Sequence, residues 1–529
     1  PCPRRKRRGW RVSGSPVSPA AGPAAGPVPR RAPGLWEGYG VEIEMMIVDR
    51  ESLDVRAVAD RLFELQGWAP GAGENRRGRE GREDDGDSGS GGGSTAVPGD
   101  DPTPRVEAAS DLVVEAASDL VVEGVGWSNE VALHVLELKT PGPVSGLGGI
   151  ARAFQRSVNR ANSVLEELGC RLLPGGMHPW MDPGREFRIW PHEYTEVYRT
   201  FDRIFGCRGH GWSNLQSTHV NLSFSDDREF ELLHEAVRLV LPVVPALAAS
   251  SPVVDGRVGP ALDSRMMAYR GHARRVPSVT GSLVPESVRS EAEYRSRILE
   301  PLYRDLAPVD PEGVLHHEWV NARGAIARFG RGSVEIRVID AQESPRMDLA
   351  VVAAVTAAVR RVADVLEAEG ARGGGGAGDG GGGAPVAAGA GPGGPGASTE
   401  ELALLMDRTV RSGRGTKLEP FSRELYRRVL DLPTAPGSVG DVWEGFLSGS
   451  PVRSQESGSP GWHGWEEPLR VVLEEGSLAE RILGDLGVEG PGSSGGGISL
   501  GMEISRSRLR DTYRKLADTL ARGGTFRVE

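Results

Sequence analysis

The chain has 529 residues, 74 of them glycine and 38 proline, with 38% hydrophobic residues and a net charge of −11. That length allows a large core and more than one domain, while the acidic balance argues against a general nucleic-acid binder, which would present a basic field. Three cysteines, Cys2, Cys170 and Cys207, have no CxxC spacing, so they give neither a zinc site nor a disulfide framework and suit a reducing, cytoplasmic setting.

Residues 1–34 are rich in Pro, Ala and Arg and are predicted to be a disordered tail. The basic start PCPRRKRRGW is followed by no apolar h-region, so it is not a secretory signal. A nucleic-acid or anionic-surface arm is one reading of it. A disordered tail or a misplaced start is the simpler one, since the first Met is Met45. No segment spans a membrane: the most apolar run, Leu239 to Val254, is broken by Pro242, Pro245 and Pro252 and falls short of about 20 residues.

A periodic segment from Leu35 to Trp68 opens with the strand GVEIEMMIVD, Gly40 to Asp49. Side chains alternate faces along a strand, so Glu42 and Glu44 point one way and Val41, Ile43 and Met45 the other. A flexible acidic and glycine-rich insertion follows at 71–105, and then VEAASDLV occurs at 106–113 and again at 114–121. An octapeptide present twice is too short for a solenoid and reads as a duplication lengthening a surface loop or helix. From Gly126 to Gly370 strand-like runs (His134–Thr140, Thr218–Ser225, Ser333–Asp340) alternate with helical ones (Ile150–Leu168, Glu229–Ala249, Met347–Glu369). The expected organisation is a globular domain over 35–370 interrupted by the 71–121 segment, a Gly-rich loop over 371–398, and helices over 399–529 that return to pack on the domain.

Three further strands repeat the oddity of the first. His219, Asn221, Ser223 and Ser225 share a face in STHVNLSFS; Glu335 and Arg337 share one in SVEIRVID; Glu137 and Lys139 share one in SNEVALHVLELKT, with Glu130 just ahead. Any single stripe is what the solvated face of an antiparallel sheet shows. Together the acids are all Glu, on ribbons that are otherwise very apolar. If the faces meet, Glu42, Glu44, Glu130, Glu137 and Glu335 form an acidic pocket, and crowded carboxylates must take up protons or hold cations. Oxygen donors with one histidine and no thiolate favour Mg²⁺ or Mn²⁺, and magnesium leaves positions for substrate phosphates, which points to a nucleotide.

The common nucleotide motifs are absent. No GxxxxGK[ST] occurs, and GLGGIA (146–151) is separated from the strand before it by Pro141 and Pro143, so it reads as a tight turn into a helix and not as a dinucleotide loop. HExxH is absent.

Five segments in order, GVEIE, EVALHVLE, STHVNLSF, ALAASSPVVDGRVGPALDSRMMAYR and GSVEIRVID, resemble the carboxylate–amine ligases of the glutamate–cysteine ligase family, of the bacterial and plant type, over Gly38 to Val359. The resemblance implies an α+β, glutamine-synthetase-like fold, in which a curved antiparallel sheet forms a funnel-shaped active site with helices packed outside. It implies ATP-dependent phosphorylation of the γ-carboxyl of glutamate and displacement of phosphate by an amine, most simply cysteine, as in glutathione-type thiol biosynthesis. A different amine acceptor on the same fold, or a relative that binds nucleotide without turnover, are the alternatives. Glu42, Glu44, Glu130, Glu137 and Glu335 would ligate two or three Mg²⁺ ions (or Mn²⁺), and His219 would face metal and nucleotide. Arg337 would lie against the transferring phosphoryl group, with Arg323 a lesser phosphate or carboxylate contact. Arg265, Gln216 and Asn221 would bind substrate. Asn221 stands where many bacterial relatives carry a second histidine. The partners implied are small molecules, with no nucleic acid or membrane; the oligomeric state is left open.

Overall fold

A computed structural model describes residues 33–69, 120–374, 397–448, 464–488 and 500–528. The basic start, the insertion at 71–105, the octapeptide repeat up to residue 119 and nearly all of the second glycine tract lie outside these residues. Ten strands are present among them: β1 Tyr39–Asp49, β2 Leu120–Val122, β3 Val125–Asn129, β4 Val135–Lys139, β5 Cys170–Leu173, β6 Ser217–Ser223, β7 Val253–Val254, β8 Arg257–Val258, β9 Ala325–Arg328 and β10 Ser333–Asp340. Eight of these form one sheet in the order β2-β3-β4-β1-β6-β10-β9, with β5 pairing the far end of β1; β7 and β8 form a separate hairpin. Every pair in the large sheet is antiparallel. Leu120 and Val121, the end of the second octapeptide, begin β2, a sheet edge where a loop or helix was expected.

β1 is the central ribbon, and it owes its place to alternation. Val41, Ile43, Met45 and Ile47 are buried in a core with Val220, Leu222, Val334 and Ile336 of the neighbouring strands. The helices Ile150–Glu167, Asp227–Val240 and Pro345–Gly374 cover that apolar face with Phe154, Leu233, Val237, Val351 and Val355 among others. Toward the far end of β1, Met46 and Val48 join a second core with Tyr513 and Leu516 of the helix Arg506–Arg522.

The helical run expected over Glu229–Ala249 is broken. A helix over Asp227–Val240 gives way to a 3₁₀ turn at Leu241–Val243 and a short helix at Pro245–Ala248. Pro242 and Pro245 cannot donate the amide hydrogen bonds that would continue one helix. The helices after residue 397 meet this layer through polar ties: Tyr426 OH donates to Leu239 O at 2.9 Å and Trp443 Nε1 to Val243 O at 2.7 Å. Arg481 and Glu343 form a fully buried ion pair at 2.6 Å. Among the described residues no helix is long and apolar enough to cross a membrane.

The helix Asp227–Val240 also buries a histidine with no hydrogen-bond partner on either ring nitrogen. His234 packs on Phe230 (5.2 Å between ring centroids) and Tyr294 (5.9 Å). Burial, helped by the nearby Arg238 and Arg323 charges, pushes its pKa down to about 3. The folded value lies below the unfolded value near 6.5, so the unfolded chain takes up the proton first as pH falls. The stability that neutral His234 contributes is therefore complete above about pH 6.5 and lost progressively below it, by about 2 kcal/mol at pH 5. His234→Leu is expected to shrink the difference in urea-unfolding free energy between pH 7.5 and pH 5 by that amount. An unchanged difference would show that His234 does not titrate as its surroundings require.

Candidate active site

Residues directly opposite each other in an antiparallel pair share a face. Glu44 lies opposite Glu137, and Glu42 lies opposite Lys139 on one side and His219 on the other. Asn221 lies opposite Glu335, and Ser333 opposite Arg328. The polar stripes of β4, β1, β6, β10 and β9 therefore fall side by side. Glu130, just past β3, completes the acidic end.

Two groups result. Ligand atoms of Glu42, His219 and Glu335 lie within 4.8 Å of one another, as do those of Glu44, Glu130 and Glu137. Ser217 and His219 join them. His219 Nδ1 is 3.1 Å from Glu42 Oε2 and 3.9 Å from Glu335 Oε1, and its Nε2 is 2.8 Å from Ser217 Oγ. Ser217 donates to Glu44 Oε2 from its amide at 2.7 Å and from its hydroxyl at 3.0 Å, and Asn221 Nδ2 donates to Glu42 Oε1 at 3.2 Å.

The two groups differ in charge. Burial and the neighbouring Glu44 push Glu130 up to about 7, and burial with Glu42 nearby holds Glu137 well above the usual carboxylate range. For Glu42, burial acts upward, but the hydrogen bond with His219 wins and its pKa is lowered. Burial also acts upward on Glu335, and there Arg337 and Arg328 overcome it and hold the carboxyl far below its usual range. His219 is raised: burial works against its charge, and the Glu42 hydrogen bond and Glu44 outweigh it. Such crowding is relieved by protons or by a divalent cation. Six oxygen and imidazole donors without a thiolate have the chemistry that Mg²⁺ or Mn²⁺ requires, so the residues fit a hard-ion site.

The arginines are arranged differently from the acids. Arg337 Nε bonds Glu335 Oε1, and its side chain also bonds Tyr269. Arg265 is 2% exposed; its Nε pairs with Asp340 and its Nη2 donates to Arg337 O at 3.2 Å. Asp263 caps the short helix Ser264–Arg270 by accepting from Met266 N at 2.8 Å, which fixes where Arg265 emerges. Arg323 is outside the two acid groups, held by Glu286 (2.7 and 2.8 Å), Asn321 Oδ1 (2.9 Å) and Ser278 O (3.1 Å). The side-chain amide nitrogen of Gln216, beside Ser217, is buried with no hydrogen-bond partner. Sequence reasoning missed Ser217 and Arg328. Ser217 was within reach, because it sits two residues before His219 on the same strand. Arg328 depends on a hairpin register that spacing alone does not set.

A family model described as glutamate-cysteine ligase family 2 matches residues 96–369, more than half of the chain. The chain belongs to glutamate-cysteine ligase family 2. The family match includes Glu130, Glu137, His219, Glu335 and Arg337, while β1 with Glu42 and Glu44 precedes it. An uncharacterized protein of Archaeoglobus fulgidus is 37% identical over 231 residues, 44% of this chain and 62% of that one. A putative glutamate–cysteine ligase 2-1 of a Nocardioides species is 28% identical over 197 residues, 37% of this chain and 44% of that one. The chain thus spans less than two thirds of the length of either relative. Among solved structures, the glutamate–cysteine ligase of Francisella tularensis in complex with AMP aligns over 93% of this chain and 90% of that one, at 12% identity and a TM-score of 0.48.

Proposed function

We propose that this family member is an ATP-dependent carboxylate–amine ligase, working in the cytoplasm, that joins glutamate to cysteine through a γ-glutamyl phosphate. The observation that carries the reading is the pair of acid groups side by side on one sheet face, bordered by guanidiniums. That face would floor a funnel-shaped site. An oxygen of the γ-carboxylate attacks the γ-phosphorus of ATP and ADP leaves; the amine nitrogen then attacks the acyl carbon, phosphate leaves and the nitrogen gives up a proton. Such chemistry gathers anions, so the protein's part is alignment and charge neutralisation.

Glu42, Glu335 and His219 would hold one divalent ion and Glu44, Glu130 and Glu137 another, and bound Mg²⁺ or Mn²⁺ would supply positive charge to the polyphosphate. Ser217 and Asn221 hold Glu44 and Glu42 in place by the hydrogen bonds already given. Arg337, on the face of Glu335, would bear on the phosphoryl group, whose oxygens its fork of donors matches. To take a substrate carboxylate or a phosphate, Arg265 would have to leave Asp340 and Arg323 would have to leave Glu286. Gln216, with a spare buried donor, needs no such exchange to meet a substrate.

The test is phosphate release by the purified protein with ATP, Mg²⁺, glutamate and a panel of amines. Release is expected only with glutamate and an amine together, and fastest with cysteine. Release without glutamate, or none with any amine, would remove the ligase reading. A clear preference for another amine would replace cysteine alone.

A further inference from the structure

Glu335 is gripped on both oxygens. Oε2 accepts from Arg328 Nη1 at 2.8 Å, and Oε1 accepts from Arg337 Nε. Oε1 also belongs to the group with Glu42 and His219. A divalent ion on Oε1 would compete with Arg337 for that oxygen's lone pairs, and its charge would repel both guanidiniums, that of Arg328 on Oε2 included. Arg328 has a second acid at hand, with its Nε 3.5 Å from Glu318 Oε1, so it can turn from Glu335 without becoming a lone buried charge. It stands on β9 opposite Ser333, on the face that carries Glu335. Across this face four carboxylates gather on and beside β4 and β1, next to Lys139, and the guanidiniums on β10 and β9, around Glu335. An anion held over the acid groups by cations therefore meets Arg337 and then Arg328 at its border.

We propose that Arg328 is a second anion-binding residue, and that Glu335 passes from the two guanidiniums to a divalent cation, leaving Arg328 and Arg337 to grip the polyphosphate. The inference rests on the nucleotide-and-cation reading above. Cation and nucleotide then favour each other through Glu335, and Arg328 competes with the cation while it supports the nucleotide.

The two effects have opposite signs, which calorimetry on the full chain can separate. Arg328→Gln is expected to bind Mn²⁺ alone about tenfold more tightly than the parent, and ATP at saturating Mn²⁺ about tenfold more weakly, the scale of an ordinary coupling between sites. A residue with only a structural role would weaken both. Mn²⁺ affinity that is unchanged or lower, or unchanged ATP affinity, overturns the proposal. If Arg328→Gln does not fold, Arg328→Lys serves, since a point charge cannot reproduce the fork. It is expected to move both affinities the same ways by smaller factors, and no movement overturns the proposal. A parent that binds neither Mn²⁺ nor ATP sinks this inference together with the ligase reading. A parent that binds both, beside a variant that shifts neither, sinks this inference alone.

Discussion

Glu137→Gln is expected to lower phosphate release by at least about 10²-fold while leaving the melting temperature in chelator unchanged or higher. Glu137 is 6% exposed, directly opposite Glu44 and in one group with Glu44 and Glu130. Burial and Glu42 already drive it toward its protonated form. Glutamine has nearly the shape and hydrogen-bonding pattern of that form, so the fold loses little and sheds some crowding. Lys139, 3.8 Å away, also lies opposite Glu42, so its ammonium keeps a carboxylate nearby. What the variant lacks is the negative oxygen that a hard ion needs. Phosphate-release assays with Mg²⁺ and thermal melts in EDTA measure the two halves. Parental turnover would take Glu137 out of any ion site, and a steep drop in melting temperature would make it a structural acid.

Arg337→Gln is expected to cost about 10³ in kcat, the effect of removing a guanidinium from a transferring phosphoryl group. Arg337 sits two residues from Glu335 on the same strand face and is anchored by Glu335 and Tyr269. The fold should survive, because Glu335 keeps Arg328 at 2.8 Å. Arg337→Lys restores only part of the rate, since an ammonium cannot present two parallel donors. Near-parental circular dichroism with the rate loss is the expected pairing. Turnover within tenfold of the parent would place Arg337 outside the chemistry.

The acid face was legible because strand parity is a local property. Once GVEIE, HVLELK, STHVNLSF and SVEIRVID are read as strands, alternation alone assigns Glu42, Glu44, Glu137, His219, Glu335 and Arg337 to polar stripes. Which strand lies beside which is a long-range matter, and so are the partners of the arginines. Asp340 meets Arg265 from 75 positions away along the chain and Glu286 meets Arg323 from 37, separations at which composition and spacing carry no signal. β2 escaped for a related reason: an edge of three residues pairs only because β3 turns back beside it.

Because the carboxylates are placed by odd and even positions on β1, inserting or deleting a single residue between Tyr39 and Glu42 would exchange the two sides of the ribbon. Val41, Ile43 and Met45 would then face the acids of β4, and Glu42 and Glu44 would enter the hydrocarbon interior. Changes in chain length are therefore best absorbed between ribbons, or at a bulge such as the one in β10 between Ile336 and Ile339. Fifty residues stand between Trp68 and β2 beyond the described part, and β1 still meets β4 in a register that sets Glu44 against Glu137.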